Sequence, residues 1–348
     1  MLEFDTADVR NRNSHALEAP SPAALPATPS PECLREMYEV MVRSRRLDER
    51  CWLLHRQGRI GFHISGIGHE AAQVGVAFAM RRGYDFLHPY YRDLAMVIAL
   101  GMSMRDVLLG SFGKQGDPSS GGRQMPNHYC YKPANILSIS SPVSTQLPQA
   151  AGVALAEKLK GGDRVTVTCI GEGATSEGDF HEALDWAGVH KLPLVVVVEN
   201  NEYAISVPMR LQMAIERVAD RAAAYGIRGV SVDGLDVFAS YAAAKEAIER
   251  ARAGEGTTLL EVRVVRITPH SSDDNDSTYR SPEEKAHVRA QDPLPRFQKQ
   301  LLEMGVLTPA TIAEIEQCAQ AEVNDALHYA ESAPYPPVTW AMGPVFAE

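Results

Sequence analysis

The run LPLVVVV, residues 192–198, restricts the fold of this chain more than any other stretch. It is apolar at every position, and its last four residues are all valine. A strand with one face in water alternates apolar and polar residues, whereas an unbroken β-branched run is typical of a strand that is buried on both faces. The run therefore predicts a parallel sheet that is covered by helices on both sides.

The flanking segments continue this pattern. Residues 164–170, 227–234 and 257–265 are rich in β-branched residues and are predicted as further strands. Residues 178–191 and 236–254 have helical periodicity and lie between them. This alternation predicts an α/β fold, a doubly wound and mainly parallel sheet flanked by helices, with helical extensions at the N- and C-terminal ends.

The two ends of the chain differ from this middle part. Residues 1–30 are rich in Pro, Ala and Ser and have no periodicity, so we predict a flexible N-terminal arm. Residues 31–348 are predicted to form a single α/β domain that ends in a helical tail. A chain of 348 residues is long enough for one large α/β domain.

Charge and cysteine content argue against several classes of protein. The balance of 34 basic and 44 acidic residues, a net charge of −10, disfavours nucleic acid as a partner. No apolar run approaches the roughly 20 residues that span a bilayer, so no membrane association is expected. The first residues lack the pattern of a signal peptide. Scattered cysteines without a CxxC pair fit a reducing cytoplasm, and they lie at Cys33, Cys51, Cys130, Cys169 and Cys318.

Two unusual loops follow two neighbouring strands. GEGATSEGD, residues 171–179, follows one predicted strand, and ENNEYAIS, residues 199–206, begins at the end of the next. The carboxyl ends of parallel strands face one crevice, where ligands bind in open α/β sheets. The glycines allow backbone N–H groups to approach a phosphate, and the following helix adds its positive end.

The acidic residue in the first loop requires a cation beside that phosphate. Glu172 would repel a bare phosphate, but Mg²⁺ is commonly shared between carboxylates and phosphate oxygens. The side-chain carbonyl of Asn201 and the backbone carbonyl of Tyr203 offer further oxygen ligands. For either loop taken alone, glycines that turn the chain and an asparagine that caps a helix explain the pattern equally well.

The spacing of G-E-G and N-N resembles the thiamine diphosphate fingerprint. In addition, RQMPNHY, SISSPVSTQLPQAAG and RITPHSSDDNDSTYRS match, in order, the α subunits of thiamine diphosphate-dependent 2-oxo acid dehydrogenases. The chain is identified as a member of that family over residues 35–330. It resembles the branched-chain (2-oxoisovalerate) type most, because residues 269–274, PHSSDD, depart from the G-H-S-M-S-D-P pattern of pyruvate enzymes.

The resemblance implies a set of site residues. Magnesium is expected on Glu172, Asn201 and the carbonyl of Tyr203, and His270 is the expected catalytic residue. Thiamine diphosphate is expected to contact Tyr91, Arg92, Ser141, Val143, Gly171, Glu172, Gly173, Ala174, Asn201, Tyr203 and His270. A potassium-binding loop is implied at Ser140, Pro142, Thr145 and Gln146. The expected substrate rim is Phe62 and His63, for which ordinary loop packing is an equally good interpretation.

Three further positions carry open alternatives. Arg92 matches a diphosphate-binding arginine, and a salt bridge at a helix start is the other interpretation. Glu199 stands where some relatives have a phosphate-binding arginine, so that contact is absent or comes from elsewhere. Ser271 matches a position that is phosphorylated in mitochondrial relatives, where about two added charges would repel a carboxylate substrate. An ordinary loop hydroxyl is the preferred interpretation for Ser271.

The implied activity is oxidative decarboxylation of a 2-oxo acid, with transfer of the acyl group to lipoamide. The glutamate that activates the coenzyme has no strong candidate in this sequence, so a β subunit is expected to supply it in an α2β2 heterotetramer. A lipoyl domain of a dihydrolipoyl acyltransferase core is the expected acyl acceptor. Pyruvate and acetoin dehydrogenase α subunits remain alternatives, as do a nucleotide-binding regulator and a non-catalytic scaffold subunit. The nucleotide-binding alternative lacks GxGxxG or GxxxxGK[ST] after the first strand.

Overall fold

A computed structural model describes residues 28–343 of the chain. Residues 1–27, most of the predicted arm, lie outside the described residues. The helices are α1 (Pro31–Arg56), α2 (Glu70–Ala79), α3 (Leu94–Ala99), α4 (Met104–Ser111), α5 (Gln146–Leu159), α6 (Gly178–His190), α7 (Val237–Arg252), α8 (Pro282–Ala290), α9 (Pro293–Glu303) and α10 (Pro309–Ser332). The strands are β1 (Phe86–His88), β2 (Thr166–Gly171), β3 (Leu194–Asn200), β4 (Tyr203–Ala204), β5 (Val207–Pro208), β6 (Arg228–Asp233) and β7 (Thr258–Arg263).

The strands confirm the predicted parallel sheet. Within the described residues, five strands form one sheet in the order β1-β2-β3-β7-β6, and all neighbours are parallel. The central strand β3 pairs with β2 on one side and with β7 on the other. The strands β4 and β5 form a small antiparallel hairpin outside this sheet. The carboxyl ends of β2 and β3 therefore lie side by side.

Helices cover both faces of the sheet, as the unbroken valine run predicts. Every residue of β3 is buried. Its side chains alternate between two hydrophobic cores: Val195 and Val197 enter the core formed with α1, α2, α7 and α10. Val196 and Val198 enter the core formed with α5 and α6. A strand that serves two cores cannot carry a polar residue in its middle without leaving it buried.

The long helix α1 is built on an apolar stripe, and three polar residues are buried on it as well: Ser44, Arg45 and Asp48. The side chain of Ser30 caps its first turn by accepting from the N–H of Cys33, and a proline follows at the first helical position. Leu34, Met37 and Met41 recur at helical spacing and are buried. Asp48 is also buried on this helix, with 1% of its surface exposed.

Some elements were not predicted from the pattern. The strand β1 has three residues, too few for a period-2 signal to appear. The hairpin β4–β5 has two residues in each strand and carries no such signal either. The helix α8 starts with SPEE, in which Ser281 caps the N–H of Glu284. Among residues 28–343, no helix combines the length and apolar character that a membrane span requires.

Candidate functional site

A cleft lies at the carboxyl ends of β2 and β3. This is the position at which open α/β sheets bind their ligands. All eleven residues that were predicted from the sequence to contact the coenzyme line the cleft: Tyr91, Arg92, Ser141, Val143, Gly171, Glu172, Gly173, Ala174, Asn201, Tyr203 and His270. Ser140 and Gln146 of the predicted potassium loop also line this cleft, whereas Pro142 and Thr145 do not.

The two loops meet at Glu172 and Asn201. One carboxylate oxygen of Glu172, Oε2, accepts a hydrogen bond from the N–H of Asn201 at 3.2 Å. The other, Oε1, is buried and has no hydrogen-bond partner among the described residues. Burial raises the pKa of Glu172, although hydrogen bonds from backbone N–H groups and the charge of Arg266 oppose this shift. A buried carboxylate oxygen without a partner fits a site that a divalent cation would satisfy.

The second loop turns sharply after Asn201. The N–H of Tyr203 donates to the side-chain oxygen of Asn201 at 3.2 Å, and the N–H of Glu202 donates to that of Asn200 at 2.9 Å. Glu202 itself adopts a left-handed backbone conformation, with φ of 66°. These asparagine turns direct the chain into the hairpin β4–β5, and Asn201 lies in the same cleft lining as Glu172.

Gly173 is needed because the hairpin packs directly on it. A β-carbon at Gly173 would lie 2.6 Å from the β-carbon of Ala204. At Gly171, by contrast, the nearest atom to such a β-carbon is 3.9 Å away, on the ring of Tyr90. Of the three glycines in the first loop, packing therefore requires Gly173, whereas a β-carbon at Gly171 or Gly178 would meet no close neighbour.

Arg92 and His270 form the basic end of the cleft. Among the described residues, Arg92 forms no salt bridge, so the alternative of a salt bridge at a helix start does not hold. Its Nη1 donates to the carbonyl of Ser65 at 2.7 Å. Its Nη2 donates to Nδ1 of His270 at 3.0 Å and to the carbonyl of His270 at 2.9 Å. Burial, followed by the charges of Arg92 and Arg266, lowers the pKa of His270 to about 3, so the imidazole is neutral near pH 7.

A second buried arginine, Arg266, was not identified from the sequence. Its Nη2 donates to the carbonyl of Ile205 at 2.7 Å and to the hydroxyl of Tyr279 at 3.0 Å. Its Nε and Nη1 are buried without a partner in the part of the chain that the structure describes. Burial and the neighbouring charge of Arg92 lower the pKa of Arg266 to about 10. A basic residue just after the last strand, four positions before His270, is the sequence signal that could have identified it.

Glu199 points away from the cleft into a buried polar cluster. Its Oε2 accepts from Nδ1 of His69 at 2.6 Å, from Gln73 at 3.0 Å and from the hydroxyl of Tyr90 at 3.1 Å. Burial disfavours its charge, but these hydrogen bonds hold the pKa of Glu199 below its ordinary value. Burial and the charge of Glu199 raise the pKa of Asp93 well above its usual range. A phosphate contact from position 199 is therefore absent, and Arg92 is the cation in the cleft lining.

The predicted potassium loop contains one internal hydrogen bond between two of its four predicted ligands. The hydroxyl of Thr145 donates to the carbonyl of Pro142 at 2.9 Å. The side-chain nitrogen of Gln146 donates to the carbonyl of Cys169 at 3.0 Å, while its Oε1 is buried without a partner among the described residues. Ser144 adopts a left-handed conformation, with φ of 77°, and this turns the loop into α5.

Phe62 and His63, the predicted substrate rim, lie outside the lining of the cleft. His63 is buried and pairs with Asp48, and its backbone bonds to Ser272 in the loop that follows His270. Ser271 matches a position that is phosphorylated in mitochondrial relatives. It is also buried, with 7% of its surface exposed.

Comparisons with known proteins give a family match and several relatives. A family described as "Dehydrogenase E1 component" matches residues 38–339. The 2-oxoisovalerate dehydrogenase subunit alpha of Bacillus subtilis (strain 168) is 49% identical over 317 residues, which is 90% of this chain and 95% of that protein. The pyruvate dehydrogenase E1 component subunits alpha of the same strain and of Staphylococcus aureus (strain COL) are 40% and 39% identical, each covering 89% of this chain and 81% of the relative.

The match covers most of the chain and includes both loops that meet in the cleft. The resemblance stated from the motifs is thereby confirmed. This chain belongs to the dehydrogenase E1 component family.

Proposed function

We propose that this chain is the α subunit of the E1 component of a branched-chain 2-oxo acid dehydrogenase, acting on substrates such as 2-oxoisovalerate. The observation that carries the proposal is the buried, unpartnered Oε1 of Glu172 beside Asn201, at the edge of a cleft whose other end is basic. The identity of 49% to a 2-oxoisovalerate dehydrogenase α subunit, against 40% to a pyruvate dehydrogenase α subunit, supports the branched-chain type.

The cleft suits thiamine diphosphate, the coenzyme that membership of this family implies. Glu172, the side chain of Asn201 and the carbonyl of Tyr203 would hold Mg²⁺ against the diphosphate. Gly173 and Ala174 lie in the same lining, and we assign to their N–H groups the donation of hydrogen bonds to the diphosphate oxygens. When bound, the thiazolium of this coenzyme supplies an electron sink for loss of carbon dioxide from a 2-oxo acid.

Arg92 and His270 would act together on the bound anion. Because Arg92 donates to Nδ1 of His270, that nitrogen must carry a lone pair, and the ring proton is on Nε2. The neutral imidazole therefore offers one N–H as a hydrogen-bond donor in the cleft lining. The guanidinium of Arg92 is fixed by three acceptors and forms no salt bridge with any described residue, so its positive charge is available to the anion.

The residues at the aminopyrimidine end of the predicted site lie on an exposed loop. Val143, with 47% of its surface exposed, and Ser141 both line the cleft. We assign Val143 to the support of the bent coenzyme, in which the amino group approaches the thiazolium. We also assign a potassium ion to Ser140, Pro142, Thr145 and Gln146, for which the unpartnered Oε1 of Gln146 is the main support.

A partner subunit would cover the mouth of this cleft. Four large apolar side chains are exposed on the cleft loop and on and beside the hairpin, namely Val143, Ile205, Val207 and Leu211. Apolar exposure around an active-site opening is typical of a surface that another subunit covers. An α subunit implies a β subunit, and we assign to it the glutamate that activates the coenzyme in an α2β2 assembly. We assign the acyl acceptor to a lipoyl domain of a dihydrolipoyl acyltransferase core.

A reducing compartment, the cytoplasm, fits the cysteines. All five are free, and Cys51 and Cys169 are fully buried. Scattered, unpaired cysteines are typical of proteins kept under reducing conditions.

The proposal is tested by turnover of the chain with and without a β subunit. Co-expression with the β subunit of a branched-chain dehydrogenase should give coenzyme-dependent decarboxylation of 2-oxoisovalerate, measured with an artificial electron acceptor. The rate should exceed those with pyruvate and acetoin, and the chain alone should be inactive. Faster turnover of pyruvate or acetoin would move the assignment to those enzymes. Normal rates from the isolated chain would refute the division of labour between the two subunits.

A further inference from the structure

Both oxygens of the buried carboxylate of Asp48 accept hydrogen bonds from a single loop, residues 63–66. Its Oδ1 pairs with Nε2 of His63 at 2.9 Å, and its Oδ2 accepts from the N–H of Gly66 at 2.8 Å. Asp48 lies on α1, outside the lining of the cleft, and His63 is equally buried, with 1% of its surface exposed. A carboxylate is buried at low cost only when its oxygens have such partners. Here both partners belong to residues 63–66, so the carboxylate fixes that segment to α1.

The same segment holds Arg92. The carbonyl of Ser65 accepts from Nη1 of Arg92 at 2.7 Å. Gly66 packs so closely on the backbone of Arg92 that a β-carbon would lie 2.6 Å from its carbonyl oxygen. Asp48 bonds to His63 and to Gly66, which lie before and after Ser65 in the sequence. These hydrogen bonds therefore determine where the carbonyl of Ser65 lies.

A second connection runs from this segment to the loop of His270. The N–H of His63 donates to the hydroxyl of Ser272 at 3.0 Å, and the N–H of Ser272 donates to the carbonyl of His63 at 2.8 Å. Two reciprocal hydrogen bonds between two residues fix their relative position more firmly than either would alone. Movement of His63 would therefore carry the chain at residues 270–272 with it.

Asn127 fixes the segment from a third side. Its side chain accepts from the N–H of Ile64 at 3.1 Å and donates to the carbonyl of Ile64 at 3.2 Å. With these bonds made, the backbone of residues 63–66 is held by α1, by the loop of Asn127 and by the loop of Ser272. Of the three side chains that hold this segment, those of Asp48, Asn127 and Ser272, only that of Asp48 carries a charge. Hydrogen bonds to charged groups are stronger than those between neutral groups.

We propose that Asp48 is a positioning residue for Arg92 and His270, acting through residues 63–66. This inference rests on the proposed function, since it assigns Asp48 to the basic end of the coenzyme site. The carboxylate also fixes the imidazole of His63 with its proton on Nε2, because only an N–H can donate to Asp48. Asp48 touches neither the coenzyme nor the substrate in this scheme.

The test compares Asp48→Ala and Asp48→Asn with a matched control in the assembled αβ complex. The control is Asp85→Ala. Asp85 is also a buried aspartate that holds backbone N–H groups, those of Arg81 and Val165, but it lies away from the cleft lining. Three quantities are measured: hydrogen–deuterium exchange of residues 63–66 and 270–274, the dissociation constant of thiamine diphosphate, and kcat and KM for the 2-oxo acid.

Asp48→Ala should raise exchange in both segments and weaken coenzyme binding about tenfold or more, as expected for losing charge-assisted hydrogen bonds. Asp48→Asn should rescue part of this loss. Its amide oxygen can still accept from Gly66, and its nitrogen can donate to His63 in the other tautomer. Asp85→Ala should lower thermal stability but leave exchange in both segments and coenzyme affinity unchanged.

Faster exchange in residues 63–66 alone, with coenzyme affinity unchanged, would overturn the proposal. So would an equal loss of affinity in Asp85→Ala, because the effect would then be one of general stability. If Asp48→Ala does not fold, Ser272→Ala replaces it and should raise exchange in both segments, since it removes one of the two reciprocal bonds. Failure of the unaltered complex to bind the coenzyme would instead refute the proposed function.

Discussion

One guanidinium nitrogen of Arg92 bonds to both Nδ1 and the carbonyl oxygen of His270, at 3.0 and 2.9 Å. The side chain and the backbone of the histidine are thereby fixed by a single donor. Because this donor carries a positive charge, it also opposes protonation of the imidazole. Arg92 therefore determines both the position and the protonation state of His270.

This relationship predicts how stability changes with pH. The pKa of His270 is lowered to about 3 in the folded chain, against an ordinary value of about 6.5. Below pH 6.5 the unfolded chain binds a proton that the folded chain does not, so His270 destabilises the fold progressively as pH falls from 6.5 towards 3. In His270→Asn, the coenzyme-free chain should lose less of its unfolding temperature between pH 7 and pH 5 than the unaltered chain does. Parallel profiles for the two chains would contradict this assignment.

Arg266→Met should weaken coenzyme binding without lowering the thermal stability of the chain. The guanidinium of Arg266 is buried, and among the described residues it forms no salt bridge and has two nitrogens without a hydrogen-bond partner, so its removal should leave the unfolding temperature unchanged or raise it. Coenzyme affinity should fall about threefold to tenfold, because a positive charge near the site and the hydrogen bond to Ile205 are lost.

Arg252→Met is the matched control for that prediction. The side chain of Arg252 has 7% of its surface exposed and pairs with Asp85 at 2.9 Å. Its replacement should lower the unfolding temperature, since the buried carboxylate of Asp85 loses its positively charged partner, and should not change coenzyme affinity. The pair of variants is compared by thermal unfolding without coenzyme and by titration calorimetry with it. Equal changes in unfolding temperature and coenzyme affinity in the two variants would contradict the role assigned to Arg266.

Gly173→Ala should displace the hairpin β4–β5 from the first loop. Its β-carbon would lie 2.6 Å from that of Ala204, and overpacking of this kind costs about 1–3 kcal/mol. Gly171→Ala, whose new atom would have no neighbour closer than 3.9 Å, is the control and should be nearly neutral. Urea unfolding of the two variants measures the difference. A cost for Gly171→Ala equal to that for Gly173→Ala would mean that the contact with Ala204 is not the cause.

The sheet could be predicted from the sequence because its signal is strong and local. Val195 to Val198 leave no polar position on either face, and the loops after β2 and β3 begin where these strands end. Parallel strands then place both loops in one crevice. The meeting of Glu172 and Asn201 follows from this rule alone, without any knowledge of side-chain contacts.

The residues that escaped prediction depend on contacts between distant segments. Whether Glu199 faces the cleft or the buried cluster is set by the strand register and by His69, which lies 130 positions away. Arg266 and Asp48 matter through backbone carbonyls and N–H groups of loops that meet only in the folded chain. Contacts between such distant residues produce no periodic pattern in the sequence, so they could not be predicted from it. The domain boundaries and the roles assigned to the site residues stay predictions.

The most direct test of the central claim is coenzyme binding to the assembled complex by calorimetry, with and without Mg²⁺. The account predicts one thiamine diphosphate for each α chain, a requirement for Mg²⁺, and a loss of affinity of about a hundredfold or more in Glu172→Ala, because a metal ligand is removed. Glu177→Ala, which alters an exposed carboxylate in the same cleft lining, should bind within about threefold of the unaltered complex. No binding at saturating coenzyme, or unchanged affinity in Glu172→Ala, would contradict the account.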